Sequence, residues 1–196
     1  TVKVSEELLY DSVFNLEAYI SQEFARRIGS LEEEAFLVGD GTGKPTGVFN
    51  SAKTGVTAAS AEAITFDEIF DLFYSLKSAY RKNGIWICND TTIKALRKIK
   101  DANGQYLWQP SVSANTPDML SNRPIKTSSY APEIGTGKTP IIFGDFSYYW
   151  IADRQGRSFK KLAEIYSETD EVGFKTTERV DGKLLLPEAV QALKMA

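Results

Sequence analysis

Apolar residues recur every three or four positions early in the chain: Val13, Leu16, Ile20, Phe24, Ile28, Leu31, Ala35 and Val38. With 3.6 residues per turn, that spacing puts them on one face of an α-helix. Arg26, Arg27, Glu32 and Glu33 fall largely off the stripe. The pattern predicts a helix over about residues 11–38, about 40 Å long at 1.5 Å per residue and near three times the usual globular length. An element that long suits a flat or elongated subunit. Ahead of it, residues 2–4 predict a short strand, and Ser5-Glu6-Glu7-Leu8 offers a cap followed by acids that suit a helix N-terminus.

Residues 39–63 are rich in Gly, Ala, Ser and Thr and read as a connector. Residues 66–81 predict the next amphipathic helix, with Phe66, Ile69, Phe70, Phe73, Leu76, Lys77 and Tyr80 on one side and Asn83-Gly84 as its stop. The run 85–88 predicts a buried strand. Asn89 or Asp90 then caps a third helix, 91–100, which closes in a turn at 101–104. Pro110, Pro117, Pro124 and Pro132, with Pro140 close by, make 109–138 mostly loop.

Residues 140–143 and 147–152 read as strands separated by Gly144-Asp145, and 159–165 and 172–179 as two more. Asp181-Gly182 between apolar segments signals a hairpin completed by 184–186. Pro187-Glu188 opens a final helix. No internal repeat or low-complexity tract is visible. The element order is α+β, without regular βαβ alternation.

At 196 residues the chain is one large domain or two small ones, burying roughly 70% of its unfolded surface. A net charge of −3 argues against an electrostatic nucleic-acid binder, which carries a basic face. The single cysteine, Cys88, excludes an internal disulfide and lies in an apolar run, where it reads as a small buried hydrophobe. The absence of histidine removes Ser–His and Cys–His catalysis and most zinc and iron sites. No apolar run approaches the ~20 residues that cross a bilayer, and no signal sequence begins the chain. Thr1-Val2-Lys3-Val4 reads like the middle of a strand without an initiator methionine, so the expectation is a fragment of a longer protein.

The glycine-rich run from Gly39 to Gly47 invites a phosphate-loop reading. A Walker A loop needs four residues between its first glycine and the Gly-Lys pair, and a strand before it. Here three residues separate Gly39 from Gly43, Pro45 replaces the magnesium-binding hydroxyl residue, and the run follows a helix. Lys44 stands where a dinucleotide fingerprint needs its third glycine, and Asp40 lacks the alternating acids of a calcium loop. The structural reading has Gly39 supplying a left-handed helix cap and Pro45 barring the helix from resuming. Glu32, Glu33 and Glu34 diverge by about 100° per residue and cannot converge on one metal. Asp145, Asp153 and Arg154 are candidates for a carboxylate site, more simply read as turn and strand-end residues. Nothing requires a cofactor.

Taken together these segments resemble the tailed-phage major capsid proteins of the Hong Kong 97 type. The resemblance rests on the long helix followed by Gly39-Asp40-Gly41-Thr42-Gly43 with Pro45 and Gly47. It also rests on Trp86-Ile87-Cys88-Asn89-Asp90, on Leu96 through Leu107, on Gly144-Asp145-Phe146-Ser147, and on Arg179-Val180-Asp181-Gly182 through Pro187-Glu188-Ala189. It covers almost the whole chain in one order.

The resemblance implies a non-enzymatic shell subunit with a spine helix over about 11–38. The peripheral lobe would comprise 1–55 and 159–181, with a sheet. The axial lobe, 56–158 and 182–196, would hold a mixed sheet with helices around the five- and sixfold axes. The implied partners are the chain itself in pentamers and hexamers, a scaffold segment, a maturation protease, a portal and non-specifically contacted packaged DNA, with no membrane. The implied location is the virion, after synthesis in the bacterial cytoplasm. Family members carry an N-terminal arm and an extended loop before the spine helix, so this chain alone is expected not to close shells. The same fold serves bacterial nanocompartment shells, the alternative within the class. From other classes, a nucleotide-dependent enzyme using loop 39–47 predicts nucleotide binding weakened by Lys44→Ala, and an α+β binding module predicts one deep pocket.

Overall fold

The computed structural model describes residues 1–101, 103–108, 119–154 and 156–196. Strand β1, Val2–Ser5, leads into helix α1, Glu6–Asp11, where the Ser5 side chain caps by accepting from the Leu8 amide. Helix α2 runs Leu16–Val38, about 34 Å at 1.5 Å per residue. It does not begin near residue 11, because polar side chains between the helices take over the backbone bonding. The Ser12 hydroxyl donates to the Phe14 carbonyl, and Asn15 Oδ1 accepts from the Ala18 amide. Val13, counted in the apolar stripe, therefore stands outside the helix in solvent, and Leu31 is exposed too.

The segment after α2 is more than a connector. It holds helix α3, Val48–Ser51, and strand β2, Lys53–Thr57, whose partner comes from the far end of the chain. The helix expected over 66–81 is two: α4, Phe66–Ser75, and the single turn α5, Ser78–Arg81. Between them Leu76 turns extended (ψ 134°) and is completely buried. Thr65 and Glu68 form a reciprocal capping box at the start of α4. Strand β3, Ile85–Cys88, and helix α6, Asp90–Arg97, follow as expected, with Asn89 capping through the Thr91 amide.

Two strands occupy the stretch read as loop: β4, Met119–Leu120, and β5, Arg123–Thr127. Pro124 lies in β5 ahead of its ladder with β3, which begins at Ile125. Pro110 and Pro117 lie outside the described residues. Strand β6, Ile141–Gly144, leads through a 3-10 turn at Phe146–Tyr148 into β7, Tyr149–Asp153. Strands β8, Ser158–Leu162, and β9, Glu171–Thr177, form where 159–165 and 172–179 read as strands.

Two endings differ from the pattern. Asp181-Gly182 is no hairpin turn but the middle of a continuous strand β10, Val180–Leu184, which pairs with β7. Pro187–Ala189 forms one 3-10 turn and then strand β11, Val190–Lys194, in place of a final helix. Val190, Ala192 and Leu193 are all buried there between two neighbouring strands, a setting that favours extended backbone.

The chain divides into two compact units, Thr1–Glu33 with Ile151–Asp181, and Glu34–Trp150 with Gly182–Ala196. The first is built on an antiparallel sheet of order β1-β9-β8, and Ile20 of α2 packs with Val172 and Phe174 of β9. Leu9, Leu16 and Phe24 extend that cluster, so the apolar stripe of α2 does find the core where the register allows it.

The second unit is built on a six-stranded mixed sheet of order β2-β11-β6-β3-β5-β4. Strand β11 runs parallel to β2 and antiparallel to β6, and β3 runs antiparallel to β6 and parallel to β5. One face packs Ile69, Leu72 and Leu76 with Ile93 and Leu96 around Trp86 and Phe143, whose rings stack at 4.2 Å. The other carries Val48, Phe49, Ile142, Leu184 and Val190, with Leu37 and Val38 against them. Burying such side chains is worth about 1.5–3 kcal/mol each, so both faces of this sheet stabilise the unit.

Candidate functional site

The loop after α2 is closed on itself. Gly39 donates its amide to the Ala35 carbonyl at 2.9 Å, continuing the helical bonding. The left-handed residues are Gly41 (φ 79°) and Gly43 (φ 68°), so the left-handed cap expected at Gly39 is corrected. Space dictates the glycine there: a Cβ would stand 2.2 Å from the Pro45 carbonyl oxygen. Asp40 bridges to Thr46, and Gly47 donates to the Gly39 carbonyl at 2.8 Å. The Asp40 carboxylate accepts from the Thr42 amide at 2.9 Å, with the Lys44 ammonium 3.6 Å away. The Thr42 bond first, and the Lys44 charge after it, hold that carboxyl below its ordinary range.

Asn50 fastens the loop by donating to the carbonyls of Val38 and Gly39, both at 2.9 Å. The Thr46 amide donates to Gly182 O, and its carbonyl accepts from the Tyr149 hydroxyl at 3.0 Å. At Gly182 a Cβ would meet that same hydroxyl at 2.6 Å and the Phe36 ring at 2.9 Å, so close approach explains this glycine. The structure thereby joins two distant sequence motifs. The amides of Gly39, Thr42, Thr46 and Gly47 bond within the fold, and α3, four residues long, presents no extended helix N-terminus.

The remaining motif residues also serve the backbone. Buried Asp145 caps the 3-10 turn through the Ser147 amide at 3.0 Å and accepts from Asn83 Nδ2 at 3.3 Å. Its own amide donates to the Ala189 carbonyl at 2.9 Å, so Gly144-Asp145 and the turn opened by Pro187 come together. The Arg179 carbonyl accepts from the Arg154 amide, and Asp181 sits exposed in β10. Asp153 ends the exposed strand β7, so the candidate carboxylates serve as cap and strand end. Cys88 is buried in β3, and burial, with the Asp90 charge second, pushes its thiol up to about 12.

Sequence reasoning missed one charged cluster. Arg157 donates through Nε to Glu178 at 2.7 Å and through Nη2 to Glu32. Both carboxylates are largely buried. Burial first, and then the neighbouring Glu178, raise the Glu32 carboxyl above its ordinary value, while Arg157 opposes them. Glu32 lies 125 positions and Glu178 21 positions from Arg157, so no local signal announces the bridge. Among the described residues no group of three or more Cys, Asp or Glu side chains is placed to hold a metal ion. Among them, too, no helix is long and apolar enough to cross a membrane.

A family described as "Phage capsid family" matches residues 1–195. The chain belongs to the phage capsid family. Its fold is the Hong Kong 97 type. The capsid of an empty GTA particle computed with C5 symmetry aligns with a TM-score of 0.90 at 32% identity, covering 100% of this capsid-family chain and 71% of that one. The major capsid protein of Klebsiella oxytoca phage phiKO2 is 27% identical over 184 residues, 86% of this chain. This chain spans 42% of the length of that relative. The SrpI encapsulin of Synechococcus elongatus PCC 7942 shares the fold at a TM-score of 0.73 and 14% identity, covering 98% of this chain and 71% of that one.

Proposed function

We propose that this chain is the shell-forming part of a phage major capsid protein, which assembles with copies of itself into pentamers and hexamers of an icosahedral head around double-stranded DNA. The observation that carries the reading is the match to a capsid subunit along the whole chain, at 32% identity and a TM-score of 0.90. The role is structural and not catalytic: loop 39–47, the best candidate for chemistry, bonds to itself and to Gly182. Shell building needs many weak lateral contacts repeated over identical copies, not a cofactor.

In this reading the unit with sheet β1-β9-β8 is the peripheral lobe, and the unit with the six-stranded sheet is the axial lobe. The motif glycines, with Pro45, Asp145 and Pro187, set the backbone of the second unit. Scaffold segment, maturation protease and portal are the further partners the family reading implies. The protein's place is the virion.

The test is electron microscopy of particles formed by the full-length gene product. Closed shells with DNA support the reading, and a protein that stays monomeric at high concentration overturns it. The nanocompartment alternative shares the fold through the encapsulin at 14% identity, and shells loaded with an enzyme instead of DNA would favour it.

A further inference from the structure

Four apolar residues where α1 meets α2 stand in water: Tyr10 is 82% exposed, Val13 103%, Phe14 61% and Tyr19 56%. Phe14 and Tyr19 meet edge to face at 6.1 Å, and Tyr10, Val13 and Phe14 border a hollow of about 610 Å³ floored by Leu9, Leu16 and Val172. The Asn15 cap and the Ser12–Phe14 hydrogen bond hold this corner in shape. Contiguous exposed apolar surface of this kind marks a contact site. Its rim is acidic. Glu6 lines the hollow, Glu7 and Asp11 are exposed on the same helix α1 next to Tyr10, and among the described residues none of the three forms an ion pair, whereas Glu17 and Lys161 in the lining pair with each other.

A complementary surface lies on the same chain. Lys94, Lys98 and Lys100 at the end of α6 are exposed and form no ion pair among the described residues. Beside them Tyr106 and Leu107 are also exposed. Lys100 bridges to Tyr106 with its ammonium 4.8 Å from the ring, and the Leu107 amide donates to Ile99. Lysines and apolar side chains are therefore presented together on one bonded turn.

Building on the shell-subunit reading, we propose that the α1–α2 corner of one copy docks on the α6–Tyr106 surface of a second copy. Charge selects this occupant. Two corners facing each other would set acid against acid, whereas corner against α6 sets these acids against these lysines around apolar contacts. Because the two surfaces differ, the contact is heterologous, the kind that closes rings of identical subunits.

The experiment uses the full-length protein, with shells counted by electron microscopy and sedimentation. Phe14→Glu with Val13→Asp lowers shell yield at least about tenfold while the circular dichroism spectrum and melting temperature stay those of the wild type. Glu7→Lys with Asp11→Lys also lowers it, and adding Lys98→Glu with Lys100→Glu restores it. Normal yields from the Phe14 variant, or no restoration by the charge swap, overturn the proposal and leave the capsid reading standing. Lysine variants that form normal shells but hold less DNA also overturn it, assigning those lysines to nucleic acid. A wild-type protein that forms no shells overturns the capsid reading itself, and this interface with it.

Discussion

Gly144 and Ala189 approach so closely that a methyl group on the glycine would stand 2.4 Å from the Ala189 carbonyl oxygen. This is where β6 meets β11, with Gly144 opposite Val190. Gly144→Ala is expected to destabilise the protein by about 1–3 kcal/mol, the usual cost of overpacking. Gly29→Ala is the contrast: it sits inside α2 with nothing within 4 Å of its Cβ position and should stabilise by about 0.5–1 kcal/mol. Urea denaturation of the two variants checks both signs, and a neutral Gly144→Ala would contradict the close approach.

Arg157 bridging Glu32 and Glu178 makes stability depend on pH. Glu32 has its folded pKa raised above the ordinary 4.5. Its contribution is therefore full below about 4.5 and is lost as pH rises through the folded value, because the folded state holds the proton more tightly. At neutral pH the ionised pair relies on Arg157. Arg157→Ala should lower the melting temperature at about pH 7, since two largely buried carboxylates lose their donor. The loss should shrink at about pH 5, where Glu32 takes up a proton more readily. Thermal unfolding at both pH values decides, and an equal loss at both would show that Glu32 does not titrate in this range.

Lys44 meets Asp40 across 3.6 Å with both side chains about half exposed. Lys44→Ala should change stability by no more than about 0.5 kcal/mol. Titration with millimolar ATP should give no binding heat in either protein. Heat that appears with the wild type and vanishes in the variant would restore the nucleotide reading of the loop. Gly47→Ala should instead be strongly destabilising, because its Cβ would stand 2.5 Å from both the Gly39 nitrogen and the Leu37 carbonyl oxygen.

The Cys88 thiol, pushed up to about 12 by burial, should resist alkylation in the native protein at about pH 8 and react fully in denaturant. Mass spectrometry after timed iodoacetamide treatment measures the difference. Equal rates in the two states would put the thiol at the surface.

Local features were legible in the chain because a few neighbouring residues encode them. Ser5 and Asn89 cap their helices through side chains that reach amides two or three positions on. The α2 stripe reports its helix, yet periodicity did not see the break at residues 12–15, where Ser12 and Asn15 outbid the helical bonds. Strand identity was harder to read. Strand β11 is a strand because β2 and β6 flank it, and both come from distant parts of the chain. Asp181-Gly182 carries the local signature of a hairpin, but it lies inside β10, which pairs with β7, and Tyr149 and Phe36 fill the space a side chain on Gly182 would need.

By itself the sequence determined the long amphipathic helix, the caps at Ser5 and Asn89, the buried β3 run and the order of motifs that places the chain in the phage capsid family. These are carried by residues within a turn or two of one another. Only the tertiary structure decided the six-stranded order, the close approaches that require Gly39, Gly144 and Gly182, the Arg157 bridge and the exposure of Val13 and Phe14. Each of these depends on what folding brings alongside a residue, and burial of apolar surface joins segments that are far apart in the chain.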